Sequence, residues 1–174
     1  MTEDSASLVI EQINLSYDLW QDRLIFRLRT RDSTLIDVYL TRRLIKQLLP
    51  ALVELLGGTV LAPDPAIRQE LLAYEHQESV GASDFGQPFN EEGITLFEET
   101  PILVSEIKLL PHVDGLGWKV AFEEKEGRGV VLNADKNMLH NIIKLFNNVL
   151  PSTGWDLPAA QVDGTMASTW HTTH

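Results

Sequence analysis

The chain has 174 residues, 44% apolar and 22% charged, with a formal net charge of −11 and no cysteine. That size and composition suit one globular unit with a full apolar core, and the missing cysteines exclude disulfides, thiolate zinc sites and a cysteine nucleophile. No apolar run reaches the about 18 residues of a membrane span, and the opening MTEDSASLV is acidic where a secretory leader is basic, so a cytoplasmic protein is expected.

The charge is unevenly placed. Residues 57–104 hold one Lys/Arg against nine Asp/Glu, so −8 of the −11 lies in that stretch and both flanks are near neutral. An acidic chain repels a nucleic-acid duplex as a whole, but residues 23–43 concentrate six arginines and form the one basic stretch.

In chain order, Ile13 and Leu15 alternate with polar residues and predict a first strand that turns at Tyr17-Asp18-Leu19-Trp20. Leu24, Phe26 and Leu28 predict a second strand, Arg31-Asp-Ser-Thr34 a turn, and Ile36, Val38 and Leu40 a third strand. Thr41 then caps a predicted helix whose apolar face is Leu44, Ile45, Leu48, Leu49, Leu52, Leu55 and Leu56, ended by Gly57-Gly58. Pro50 within it removes a backbone donor and predicts a kink or a boundary.

Asp64-Pro65 reads as cap and first residue of a short helix to about Ser79, with an apolar edge at Ile67, Leu71 and Tyr74. Gly81 to Glu92 is turn-rich and expected to be mobile, and Ile94 to Phe97 suits an edge strand.

From Ile107 onward the opening pattern returns. Ile13 and Leu15 correspond to Ile107 and Leu109, an offset of 107 − 13 = 94. At the same offset Leu24, Phe26 and Leu28 fall on Trp118, Val120 and Phe122; Ile36, Val38 and Leu40 fall on Val130, Leu132 and Ala134; Thr41 falls on Asp135. The helix positions Leu44, Ile45, Leu48, Leu49 and Leu52 fall on Met138, Leu139, Ile142, Ile143 and Phe146. Identities are almost absent, but the order strand–strand–strand–cap–helix holds in constant register. The expectation is an α+β protein of two tandem βββα units with internal pseudo-symmetry: a first unit at 8–58, an acidic connection at 59–100 carrying a short helix, a second unit at 101–155, and a disordered tail at 156–174, together one compact domain. Each unit has an apolar sheet face and an apolar helix face to bury, in one continuous sheet or in two packed sheets.

Candidate binding residues are Arg23, Arg27, Arg29 and Arg31 on one strand, with Tyr39 on its neighbour. Arg42 and Arg43 at a helix start and Trp20 in a turn complete the set. An arginine row with aromatic neighbours can position phosphates or single strands, but Asp37 shares the face of Arg27 and Arg29, and cross-strand pairing would occupy them. Arg42, Arg43 and Lys46 oppose the helix dipole, which favours an acidic partner, internal at Glu91-Glu92 or Glu98-Glu99, or external. A turn tryptophan suits an interface.

His112 and His140 are expected to be a hairpin residue and a partly exposed helix residue, and His171 and His174 to lie in a loose terminus. No nucleotide-binding glycine loop, nucleophile elbow or H-E-x-x-H motif occurs, so no catalytic residue, metal or cofactor is assigned. The chain is expected to be a non-catalytic protein-interaction or accessory protein that meets another protein or a second copy of itself. Nucleic-acid binding through the arginine face is the alternative, and an enzyme with a dispersed site the third.

Overall fold

The computed structural model describes residues 8–162. His171, His174 and the end of the expected tail lie outside the described residues. Within them the protein is α+β, with two sheets and three α-helices.

Strands β1 (Ile10–Asp18), β2 (Arg23–Thr30) and β3 (Thr34–Leu40) form an antiparallel meander. The period-two alternation puts Leu24, Phe26, Leu28, Ile36, Val38 and Leu40 on one face, none more than 1% exposed. Helix α1 (Arg42–Gly57) follows directly and buries Leu44, Ile45, Leu48, Leu49, Leu52 and Leu56. Thr41 precedes it in extended conformation, but caps only through its carbonyl, which accepts from the Leu44 and Ile45 N–H groups at 3.0 and 3.2 Å. The boundary expected near Pro50 does not occur: the helix runs through it to Gly57, with the proline on its exposed side.

Helix α2 (Pro65–Gly81) starts as its sequence requires, Asp64 Oδ1 accepting from the Ala66 N–H at 2.8 Å. The face it buries is not its apolar edge. Leu72, His76 and Ser79 are inside, whereas Ile67, Leu71 and Tyr74 are 49%, 42% and 60% exposed. After an irregular stretch, β4 (Ile94–Leu96) and β5 (Ile102–Leu103) lie one after the other along the free edge of β3, both parallel to it. Gly93 makes the entry to β4 possible: its φ is +155°, and a Cβ there would stand 2.1 Å from the Ser33 carbonyl oxygen.

The second sheet is the antiparallel meander β6 (Glu106–Pro111), β7 (Trp118–Glu123) and β8 (Gly129–Ala134), followed by α3 (Lys136–Val149) and a single 3-10 turn at Leu150–Ser152. Its register can be set beside that of the first. Ile13 pairs with Leu28, Leu15 with Phe26, and Phe26 with Val38; Ile107 pairs with Phe122, Leu109 with Val120, and Val120 with Leu132. Thr59 and Thr153 each donate through Oγ1 to the carbonyl of Leu56 and Leu150 respectively, both at 2.7 Å.

The sheets are separate, and they share one core. Phe26 stands 5.8 Å from Phe122 of the second sheet and 6.5 Å from Phe146 of α3. Helix α3 lies against β1 and α1 against β6, so each helix meets the first strand of the other half. Edge pairing crosses over in the same way: Ile102 pairs in parallel with Val38, and Leu8 bridges in parallel to Leu132. Residues 156–162, expected to begin the disordered tail, are packed instead. Ala160 and Val162 are buried, and Asn147 of α3 holds both backbone groups of Ala160, at 2.8 and 2.9 Å. Among the described residues no helix is long and apolar enough to cross a membrane.

Candidate functional site

The arginine stretch divides into two sets. Arg27 faces Asp37 across the β2–β3 ladder at 3.4 Å and also reaches Glu91 at 2.9 Å. Burial lifts the Asp37 carboxyl above its ordinary range more than Arg27 lowers it, and Glu91 adds to the rise. One guanidinium thus serves two carboxylates. Arg29 is 8% exposed and is paired with Glu11 on β1, its other terminal nitrogen donating to Ser33 Oγ at 2.9 Å. The two central side chains of the proposed anion-binding row are therefore engaged internally, Arg27 by the expected Asp37 and by the acidic connection. Arg23 pairs in register with Asp18 at the hairpin end, and Tyr39 lies between Ile25 and Leu103 in the ladder.

Arg31, Arg42 and Arg43 remain exposed. The first turn of α1 holds no acidic residue to balance the helix dipole. Among the described residues neither Arg42 nor Lys46 has a carboxylate within ion-pair distance, although the charge of Arg42 helps hold Asp22 ionised. They rim a groove of about 410 Å³ between α1 and residues 156–161, floored by Ile45, Leu49 and Val53 and walled by Leu157 and Pro158. Sequence patterning did not show this groove, because its second wall is the segment expected to be disordered.

The start of α3, by contrast, is covered by α2: Lys136 pairs with Glu75 of α2 at 2.7 Å. One turn on, His140 is fully buried, correcting the expected partly exposed position, and its Nδ1 lies 3.1 Å from Nδ1 of His76. A neutral pair can share that contact only if one ring donates and the other accepts. Burial first, and the neighbouring His76 second, lower the pKa of His140 to about 4. Ser79 donates to Asn137 Oδ1 at 2.8 Å, and Asn141 donates to Ser83 Oγ at 2.6 Å. His76 had no signal in the sequence: a buried helix face of Leu, His and Ser has no apolar period to detect.

Beside this seam a polar cleft of about 430 Å³ lies between β1, the 83–89 segment and the start of α3, with Gln12, Asn14, Asn137 and Asn141 among its walls. His112 lies elsewhere, in a 250 Å³ cleft at the β6–β7 hairpin, 2.7 Å from Asp114. These groups do not assemble a nucleophile, base and oxyanion donor. Among the described residues no group of three His, Cys, Asp or Glu side chains is placed to hold a metal ion.

Large apolar side chains are exposed at the tips of both first hairpins. Leu19 and Trp20 are 73% and 95% exposed between β1 and β2, and Val113 and Leu116 are 96% and 82% exposed between β6 and β7. No protein-family model matches the chain, and no curated protein or solved structure matches it either.

Proposed function

We propose that this protein is a non-catalytic interaction protein, built from two copies of one βββα unit, whose contact surface is the groove along α1. The duplication is supported by residue pairs that recur at an offset of 94 in both ladders, such as Leu15–Phe26 and Leu109–Val120, and in the Thr59 and Thr153 turns. A common ancestor unit accounts for that register without sequence identity, because alternation and capping are all the fold requires of each copy.

The observation that carries the functional reading is the pairing of apolar floor with unbalanced charge in the α1 groove. Pro50, Val53 and Pro158 offer apolar area to bury, and Arg42 and Lys46 offer cations with no carboxylate within ion-pair distance among the described residues, although Asp156 lines the same groove. A partner that presents apolar side chains flanked by Asp or Glu removes the apolar surface from water and relieves the dipole conflict together. The exposed tips at Trp20 and Val113 extend the apolar surface available for contact. Nucleic-acid binding through the sheet face is the weaker reading, because Arg27 and Arg29 would first have to give up Asp37, Glu91 and Glu11.

A photo-reactive residue placed at Lys46 tests this in native cells, with Lys125 in the 124–128 turn as the control position. A discrete covalent adduct to one protein species is expected from position 46, absent from position 125 and lost on Arg42→Glu. No adduct from position 46, or the same ladder of products from both positions, would overturn the proposal.

A further inference from the structure

Resting on the reading that the α1 groove is the contact surface, we infer that its occupant is a second copy of this chain, docked through the outer face of α2. That face is one stripe at helical spacing: Ile67, Glu70, Leu71, Tyr74 and Glu78. The three apolar members are 42–60% exposed, and Glu70 and Glu78 are exposed beside them. Folding leaves the stripe uncovered because α2 turns Leu72, His76 and Ser79 inward. The groove offers the complementary chemistry, with Arg42 and Lys46 beside Pro50, Val53 and Pro158, and with Asp156 as its one carboxylate. Charge and apolar area are therefore complementary between two surfaces of the same molecule.

The chain already contains the same kind of contact once. The inner face of α2 covers α3, and its Glu75 meets Lys136 in the first turn of the covered helix at 2.7 Å. Arg42 holds the corresponding place in α1, at 136 − 94. Carboxylates on a helix laid against basic first-turn residues thus repeat an interaction this fold makes internally. The two surfaces also adjoin: Gln69 of α2 donates to the carbonyl of Gln161, at the groove wall, at 3.4 Å. A two-fold axis near that junction places the α2 of each copy in the groove of the other, an isologous contact made twice that leaves no open end.

Charge reversal gives a test that does not disturb the core. In sedimentation velocity the wild-type chain is expected to dimerise. Arg42→Glu/Lys46→Glu and, separately, Glu70→Lys/Glu78→Lys are each expected to weaken the dimer at least tenfold. Mixing the two variants restores opposite charge at both contacts and is expected to yield a heterodimer as tight as the wild type, to within about threefold. Tyr74→Ser, which changes no charge, is expected to weaken the dimer as well. A wild-type monomer at 200 μM, or a dimer that neither reversal weakens, overturns the inference. So does a chain ending at Val162 that dimerises when the full chain does not, since residues 163–174 would then be the groove's occupant. A monomer that still gives a discrete adduct with another protein at Lys46 sinks the second-copy partner alone, and loss of that adduct sinks the interaction surface itself.

Discussion

Asp22 has a backbone conformation that side chains rarely adopt, with φ at +51° in the β1–β2 turn. Its carboxylate accepts from Trp155 Nε1 at 2.5 Å and from the Tyr17 hydroxyl at 2.7 Å, and the two rings meet edge-on at 5.8 Å. One acidic residue thereby ties the first hairpin to the segment that follows α3. The Trp155 N–H, then the Tyr17 hydroxyl, hold the Asp22 carboxyl below its ordinary range. A carboxyl depressed in the folded state stabilises the fold above its unfolded pKa, and that contribution is lost as pH falls through the folded value. Trp155→Phe keeps the buried ring and removes the donor. The Asp22 pKa, followed by NMR, is expected to rise, and acid unfolding to begin at a higher pH. An unchanged Asp22 titration in the variant would show that the indole hydrogen bond does not set it. Asp22 and Trp155 are 133 residues apart, so neither residue's local sequence could signal the contact, whereas the turn itself was legible from Tyr17-Asp18-Leu19-Trp20.

Helix α2 shows where sequence periodicity fails as a guide to burial. Ile67, Leu71 and Tyr74 are the apolar stripe, yet the helix docks on α3 through Leu72, His76 and Ser79. Polar groups can be buried when each finds a partner, and His76–His140 and Ser79–Asn137 supply those partners. In β2 and β3 the burial pattern was legible, because the inward positions Leu24, Phe26, Leu28, Ile36, Val38 and Leu40 carry large apolar side chains. Arg29 and Thr30 are the exceptions: Glu11 and Ser33 make the burial of Arg29 tolerable, and Thr30 Oγ1 is hydrogen-bonded to Asp32 and to the Thr34 backbone. The His76–His140 seam has a pH signature. His140 is lowered to about 4 in the fold by burial and by His76, with Lys136 adding to the depression and Glu75 opposing it. The unfolded chain takes up that proton first, near the ordinary histidine value of about 6.5. The stabilising contribution is therefore complete above about 6.5 and falls by up to about 1.4 kcal/mol per pH unit as pH drops toward the folded value. Urea unfolding at pH 7.0, 6.0 and 5.0 is expected to show that slope, and His140→Gln to flatten it. An equally steep slope in the variant would place the lost stability on other groups.

At the scale of the whole molecule, the two halves are not independent. The strand and helix order around each sheet was legible in the sequence, because strands and helices follow local periods. How the halves interlock was not, because every interlocking contact joins residues far apart in the chain. Ile102, which precedes β6, completes the edge of β3, and Leu8, which precedes β1, bridges to β8. Helix α3 covers β1, and α1 meets β6. A fragment 1–62 carries β1, β2, β3 and α1 but lacks Ile102, Val104 and α3, which close its core. It would leave Phe26, now 1% exposed, without Phe122 and Phe146. Exposing one such ring costs roughly 1.5–3 kcal/mol, and a domain's whole margin is only about 5–15 kcal/mol. Fragments 1–62 and 63–174 are therefore each expected to lack a cooperative thermal transition alone, and to regain one on mixing at equal concentration. The break falls after the buried Ala62, between the exposed side chains of Leu61 and Pro63. A cooperative transition in either fragment alone would mean that its own unit closes a sufficient core and that the crossed contacts are secondary.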